Sequence, residues 1–179
     1  MAAIIGGDRD AVEALCAEAA QGEVLSPANF NAPGQIVISG HKDAVNRAAE
    51  MASDKKLKAI VLKVSAPFHC ALMAPAARSV ETALAEITLH AAAFPVIANV
   101  SATPNQDAEE AKRLLVRQID GPVLWEQTIL RMAEAGVTRA LEIGPGKVLA
   151  GLVKRIDKRI TVLSVSDPES IARIPEFLG

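Results

Sequence analysis

The first third of the chain alternates short apolar runs with segments whose apolar residues recur every three or four positions. The runs predict strands and the periodic segments predict helices. Asp8, after Gly6-Gly7, is placed to cap the first helix. The predicted elements are a strand at 2–5, a helix with Val12, Leu15 and Ala19, strands at 24–30 and 35–39 around turn formers at 31–34, a helix with Val45, Ala48 and Ala52, and a strand at 59–64. This β-α-β-β-α-β order is typical of a ferredoxin-like fold.

From residue 65 onward the pattern changes to longer helical periods separated by isolated strands. The predicted elements are helices at 69–87, 108–118, 125–133 and 148–156, strands at 94–100, 139–143 and 160–165, and a short helix near the C-terminus. Strands that alternate with helices predict part of a parallel α/β sheet. We expect two subdomains, at 1–64 and 65–179. Three strands are few for a parallel sheet, so the second sheet is predicted to be incomplete.

Composition and charge narrow the class of protein. With 179 residues, 50% of them hydrophobic and 22% charged, the chain is predicted to be globular. A net charge of -2 and an aromatic content of 3% predict no nucleic-acid partner. No apolar run approaches the roughly 20 residues of a membrane span, which predicts no membrane partner. Cys16 and Cys70 stand in neither disulfide nor metal spacing, which predicts no metal and favours a reducing, cytoplasmic compartment.

His69 is the residue of this sequence best placed for acid–base chemistry. Pro67 restricts the residue before it to extended geometry, and the helical period begins just after His69, so the imidazole lies at a strand-to-helix junction. It is a candidate general base for a hydroxyl nucleophile, although a lone histidine is more often structural. No Gly-x-Ser-x-Gly elbow occurs in the chain. Cys70 is interpreted as a core residue, since an apolar setting keeps a thiol protonated.

Three further features have both a structural and a functional interpretation. Gly144-Pro145-Gly146-Lys147 lacks the spacing of a phosphate-binding loop and is interpreted as a turn before a helix. Asn29 and Asn31 would project to one face of an extended strand, and turn-forming and site-lining roles suit them equally. Four positive charges cluster near one helix end: Lys154, Arg155, Lys158 and Arg159. This basic group is typical of a solvated helix C-terminus, and an acidic partner is the alternative.

Several short segments of this sequence match, in the same order, segments of one known family. They are residues 1–6, 26–35 with 37–40, 65–69, 116–118, Pro122-Val123 with Trp125, and 142–149. With these blocks the chain resembles, over its whole length, the C-terminal part of bacterial malonyl-CoA:acyl carrier protein transacylases. Several independent blocks in order are more specific than any single motif. The resemblance implies an α/β-hydrolase-like subdomain with a ferredoxin-like insertion and an active site in the cleft between them.

The resemblance also implies an activity and its residues. Malonyl is transferred from malonyl-CoA to the pantetheine thiol of acyl carrier protein, in fatty acid synthesis, by a serine–histidine ping-pong mechanism for which we expect no cofactor. By motif His69 is the general base, and the backbone carbonyl of Gln118 orients it. Phe68 matches a position lining the acyl pocket, where its bulk favours malonyl over branched units. Asn31 and Asn99 match blocks near the cleft and are candidate substrate-binding residues. We expect the basic group to dock the acidic carrier protein.

The sequence departs from the family in one large respect. It lacks the family's N-terminal half, with the Gly-Gln-Gly-Ser-Gln loop, the Gly-His-Ser-x-Gly elbow and the arginine that pairs with the malonyl carboxylate. We therefore expect this chain to supply the histidine but not the serine, to be inactive alone, and to have that N-terminal half as a partner. The alternative is a non-catalytic truncated module that binds acyl carrier protein or a small ligand. A weaker alternative is a hydrolase that uses Cys70 or an unrecognised serine.

Overall fold

The computed structural model describes residues 1–179, which form two compact units, Met1–Trp125 and Glu126–Gly179. The first unit begins with strand β1 (Ala2–Ile5), helix α1 (Arg9–Ala20), strands β2 (Leu25–Ala32) and β3 (Gln35–Gly40), helix α2 (Lys42–Asp54) and strand β4 (Lys58–Val61). The four strands form one antiparallel sheet in the order β2-β3-β1-β4. The predicted β-α-β-β-α-β order and ferredoxin-like fold are therefore confirmed. The subdomain boundary between residues 64 and 65 stays a prediction.

The apolar stripes of α1 and α2 form the core with the sheet. Ile4 of β1, Leu15 of α1 and Ile38 of β3 are completely buried in one cluster. Helix α1 begins where predicted, because the Asp8 side chain accepts the N–H of Ala11 at 2.9 Å. Burial of a large aliphatic side chain contributes about 1.5–3 kcal/mol, so these stripes fix both helices against the sheet.

Strand β2 extends further than the sequence pattern predicts, and this settles how its asparagines lie. Asn31 belongs to the strand, and the chain reverses at Gly34, whose φ of +68° favours glycine. Phe30 and Ala32 are buried, whereas Asn29 and Asn31 are half-buried in the alternate positions. Their interpretation as turn residues is wrong, and a register shift between Phe30 and Ala32 interrupts at Asn31 the regular alternation from which a shared face was predicted.

The rest of the first unit consists of short elements around two helices. They are a 3₁₀ turn (Ala71–Met73), helix α3 (Ala74–Ala85), strands β5 (Val96–Ile97) and β6 (Pro104–Asn105), and helix α4 (Ala108–Asp120). The prediction of a strand over 94–100 in a parallel sheet is wrong, because only two residues are extended and they pair antiparallel with β6. Pro95 has no N–H for a ladder, and the N–H groups of Ser101 and Ala102 bond back to the Ala98 carbonyl.

The second unit contains a parallel strand pair joined by a helix. Helix α5 (Trp125–Glu134) leads into strand β7 (Arg139–Ile143), helix α6 (Val148–Ile156) and strand β8 (Thr161–Val165), followed by helices α7 (Pro168–Ala172) and α8 (Ile174–Leu178). Strands β7 and β8 pair in parallel, from Arg139 opposite Thr161 to Ile143 opposite Val165. The predicted parallel β-α-β unit is therefore confirmed. None of the helices has the length and apolar character needed to cross a bilayer.

Candidate active site

The His69 ring is held by two backbone carbonyl groups. Its Nδ1 atom lies 3.0 Å from the carbonyl oxygen of Gln118 and 3.2 Å from that of Gly121. A carbonyl oxygen can only accept a hydrogen bond, so Nδ1 must carry the proton that both oxygens receive. In the neutral ring the other nitrogen, Nε2, then bears the lone pair. This arrangement provides a half-buried imidazole whose free nitrogen can accept a proton.

The last turn of helix α4 supplies the Gln118 carbonyl, and the residue that follows the helix supplies the Gly121 carbonyl. The last four carbonyls of a helix have no partner within it, and Gln118 belongs to this final turn. Its oxygen is therefore available to His69, while the Arg117 oxygen accepts the N–H of Gly121 at 3.0 Å. Sequence reasoning identified the Gln118 carbonyl but missed that of Gly121, because the Gly121-Pro122 break in the sequence marks only where the helix ends.

The backbone of His69 itself is unusual. Its φ is +60°, in the left-handed region that histidine adopts more often than most side chains but still uncommonly. The next residue fixes this turn, because Cys70 is 1% exposed and its thiol donates to the Pro67 carbonyl at 3.2 Å. Such a conformation persists only where its surroundings hold it in place. The burial of Cys70 agrees with its interpretation as a core residue and leaves the thiol without access to a substrate.

A short connector, residues 121–124, joins the His69 site to strand β2 and to Asn99. The N–H of Val123 donates to the Ala28 carbonyl at 2.8 Å, and the Val123 carbonyl accepts the N–H of Phe30 at 2.8 Å. The next residue, Leu124, donates its N–H to the Asn99 carbonyl at 2.8 Å. One segment thus links the helix end that holds His69 with the strand that carries Asn31 and with Asn99.

The side chains proposed for substrate binding are accessible. Phe68 is 40% exposed and precedes His69 in the chain, Asn99 is exposed, and Asn31 is half-buried. A cavity of about 380 Å³ opens beside Asn99 and Gln118, and its walls include Val96 and Leu114. Apolar walls with a few polar groups are typical of small-molecule sites.

The residues of the basic group lie in two different environments. Lys154 lies in the last turn of α6, whereas Lys158 and Arg159 follow the helix. Lys154 and Lys158 line a surface cavity of about 610 Å³ together with Lys147. Arg159 instead pairs with Asp157 at 2.6 Å, and this hydrogen bond raises the pKa of Arg159 and lowers the pKa of Asp157. Lys147 was missed in the sequence as a member of this surface, although the Gly-Pro-Gly-Lys turn contains it.

That turn leads into a helix whose N-terminus is already occupied by a carboxylate. Glu142 of β7 accepts the N–H groups of Leu149 and Ala150 at 2.9 and 3.1 Å and the Ser164 hydroxyl at 3.0 Å. Desolvation raises the pKa of Glu142, but these three donors outweigh it and the pKa lies below its ordinary value. The 144–147 segment is thus a turn before a helix, as predicted, and an internal anion takes the position that a phosphate would need.

Comparison with known proteins relates the chain to acyltransferases. Residues 1–176 match the family described as the acyl transferase domain. The malonyl CoA-acyl carrier protein transacylase of Escherichia coli K12 is 46% identical over 178 residues, which is 99% of this chain and 58% of that protein. The chain therefore spans somewhat more than half the length of the curated relatives it matches.

Solved structures of malonyltransferases are also similar to this chain. The acyl-carrier-protein S-malonyltransferase of Bartonella henselae is 46% identical, with a TM-score of 0.95 over 99% of this chain and 57% of that one. A malonyl transacylase in complex with a holo type II polyketide acyl carrier protein is 43% identical, with a TM-score of 0.94 over 98% of this chain and 57% of that one.

Proposed function

This chain belongs to the acyl transferase domain family, and from that premise we propose that it forms the part of a malonyl-CoA:acyl carrier protein transacylase that carries the general base. The observation that carries the proposal is the His69 ring, whose Nδ1–H is taken by the Gln118 carbonyl at 3.0 Å. Nε2 is then the nitrogen left to accept a proton. The names of the relatives supply the substrate pair, malonyl-CoA and acyl carrier protein.

In the proposed reaction the nucleophile is a serine from a segment outside this sequence. His69 Nε2 takes the hydroxyl proton as the serine oxygen attacks the malonyl thioester. The C–S bond breaks, coenzyme A leaves as a thiol that receives the proton from His69, and malonyl remains as a serine ester. The pantetheine thiol of acyl carrier protein then gives its proton to His69 and attacks that ester. The serine oxygen leaves with the proton that His69 returns.

The backbone carbonyls also face the proton that His69 keeps on Nδ1 throughout the proposed reaction. During each half-reaction His69 becomes an imidazolium, and the Gln118 and Gly121 oxygens present the negative ends of their dipoles to Nδ1–H. A preorganised acceptor of this kind lowers the cost of developing charge without reorganisation. Gln118 therefore acts through its backbone.

Substrate contacts are assigned to three accessible side chains. Phe68, beside the base in the chain and 40% exposed, lines the acyl pocket and favours malonyl over branched acyl units by its bulk. Asn31 and Asn99 offer amide groups from backbone that the 121–124 connector ties to the His69 site. Their proposed role is hydrogen bonding to the substrate.

The basic group is proposed to dock the acidic acyl carrier protein. Lys154 and Lys158 carry most of this role because they share one surface cavity with Lys147. Arg155 adds charge on the same helix turn, whereas Arg159 contributes less because Asp157 is bound to it. Complementary charge of this kind mainly raises the association rate and weakens with salt.

A reconstitution experiment tests the proposal. The chain is mixed with a serine-bearing segment taken from the portion of a relative that this chain does not match, and malonyl transfer to acyl carrier protein is measured. We expect transfer in the mixture and a loss of roughly 100- to 10,000-fold with His69→Ala, the range of general base catalysis. Glu50→Ala, which removes an exposed carboxylate from helix α2 of the same unit, is the matched control. Equal losses in both variants, or no transfer by the unmodified mixture, would contradict the proposal.

A second candidate function is supported by the lysine-lined surface alone. A chain that uses only Lys147, Lys154 and Lys158 would bind acyl carrier protein without transferring malonyl. Binding that persists while every reconstituted mixture stays inactive would favour this non-catalytic module. The cytoplasm is the proposed location in either case, since Cys16 and Cys70 are free thiols.

A further inference from the structure

Glycine is required at position 121 because a side chain would not fit there, and not because of the backbone conformation. Its φ of -97° and ψ of 160° are extended values that any residue adopts. A Cβ at this position, however, would lie 2.6 Å from the Arg117 carbonyl oxygen and 2.7 Å from a methyl group of Val100. Contacts this short essentially never occur for real side chains, and the nearer one is to backbone that cannot swing away. Only a residue without a side chain allows the chain to pass this closely to the end of α4.

This close passage determines where the Gly121 carbonyl lies. The Gly121 N–H is fixed on the Arg117 oxygen at 3.0 Å, and two residues later Val123 is fixed on strand β2. Between these two attachments, the Gly121 carbonyl reaches 3.2 Å from Nδ1 of His69, on the ring nitrogen that also meets the Gln118 oxygen at 3.0 Å. Two acceptors therefore converge on one N–H.

We propose that Gly121 is a positioning residue for His69: its lack of a side chain brings in a second carbonyl acceptor and thereby fixes the Nδ1–H tautomer. In the other tautomer Nδ1 would present a lone pair to two carbonyl oxygens, and like-charged atoms would face each other at hydrogen-bonding distance. One acceptor can be avoided by a small ring rotation, but two acceptors from different peptide groups define the ring plane as well. The consequence for catalysis rests on the proposed function, whereas the effect on the tautomer does not.

The tautomer can be read in this chain by itself, by nuclear magnetic resonance. In protein labelled with ¹⁵N-histidine, the long-range ¹H–¹⁵N correlations of the neutral His69 ring report which nitrogen carries hydrogen. We expect only the Nδ1–H form. With ¹³C-carbonyl glycine added, we also expect a coupling across the hydrogen bond between His69 Nδ1 and the assigned Gly121 carbonyl carbon.

Two variants then separate positioning from a general effect of adding a methyl group. Gly121→Ala is expected to lose the Nδ1–H resonance and to show a mixture of tautomers in a folded chain. Gly151→Ala, at a helical position with open space around it, is expected to keep the tautomer of the unmodified protein. A folded Gly121→Ala chain that keeps the pure Nδ1–H form would overturn the proposal.

If Gly121→Ala does not fold, the coupling between His69 Nδ1 and the Gly121 carbonyl carbon still tests the proposal. It is measured in the unmodified chain, labelled with ¹³C-carbonyl glutamine as well as glycine, and a coupling to Gln118 without one to Gly121 would equally overturn the proposal. Because these spectra need neither a serine nor a substrate, failure of the reconstituted transfer would leave them unchanged. Conversely, transfer could succeed while the coupling to Gly121 is absent, so the two proposals fail separately.

Discussion

Replacing Glu142 with glutamine tests whether an internal carboxylate holds the second unit together. The Glu142 carboxylate joins three segments: it accepts two N–H groups from the start of helix α6, at Leu149 and Ala150, and the Ser164 hydroxyl from strand β8. Glu142→Gln keeps the size of the side chain but removes its charge and replaces one oxygen by an NH₂ group. That group cannot accept the hydrogen bonds that the lost oxygen received.

The magnitude follows from the bonds that are weakened. A hydrogen bond to a charged group contributes about 1.5–3 kcal/mol net when it is well shielded. Glu142 is only half-buried, so water can replace part of what is lost and the sum of three bonds must be discounted. The loss of favourable charge at the start of α6 adds about 0.3–1 kcal/mol. We expect Glu142→Gln to lower the free energy of unfolding by about 1–2 kcal/mol at pH 7.

The contribution of Glu142 to the free energy of unfolding should decrease as the pH is lowered. The pKa of Glu142 in the folded chain lies below its ordinary value. Its stabilisation is therefore complete above the unfolded-state pKa of about 4.3 and is lost as the pH falls through the folded-state pKa. The difference between the unmodified chain and Glu142→Gln should be full at pH 7 and shrink steadily below about pH 4. Urea unfolding at each pH measures it, and amide exchange at Leu149 and Ala150 reports the local loss.

The matched control is Glu81→Gln, which removes an exposed carboxylate from helix α3. Its effect should stay within about 0.5 kcal/mol, as for most surface substitutions. A cost for Glu142→Gln that is equally small, or one that does not change between pH 7 and pH 3, would refute the role assigned to this carboxylate.

Three further outcomes are expected. Gln118→Ala should leave the Nδ1–H tautomer of His69 unchanged in the ring ¹⁵N spectrum, because the backbone carbonyl makes the contact; a changed tautomer would place the role in the side chain. Joint reversal of Lys154 and Lys158 to glutamate should slow acyl carrier protein association at low salt and have little effect at high salt in stopped-flow measurements, so a salt-independent loss would contradict steering. Cys16, whose pKa burial raises to about 12, should resist a thiol reagent at pH 8 in the native chain, and rapid labelling would show that α1 opens.

The ferredoxin-like part of the fold was predictable because its pattern is local. Val12, Leu15 and Ala19 recur at the helical period and all become buried, and Asp8 caps the helix as its position indicates. The parallel pair β7 and β8 follows from the same kind of signal. The strand predicted over 94–100 failed because bonds to the Ala98 carbonyl, which no periodicity reveals, turn the chain after two extended residues.

The candidate active site was likewise predictable only in part from the sequence. His69 stands out in the sequence as a histidine at a junction, and the family blocks point to the Gln118 carbonyl. No pattern of residue types reveals that a second carbonyl, from Gly121, reaches the same nitrogen, since that depends on how closely the chain passes α4. From the sequence alone, the four charges of the basic group are likewise indistinguishable. Only the structure separates Arg159, bound to Asp157, from the lysines that share a cavity.

The most direct test of the account is the first half-reaction. A serine-bearing segment is mixed with this chain and malonyl-CoA, in the absence of acyl carrier protein, and the malonyl ester on the serine is followed by mass spectrometry. We expect ester formation with the unmodified chain and a rate lowered by roughly 100-fold or more with His69→Ala. Ester formation at the same rate with His69→Ala would show that His69 is not the base, and would contradict the account.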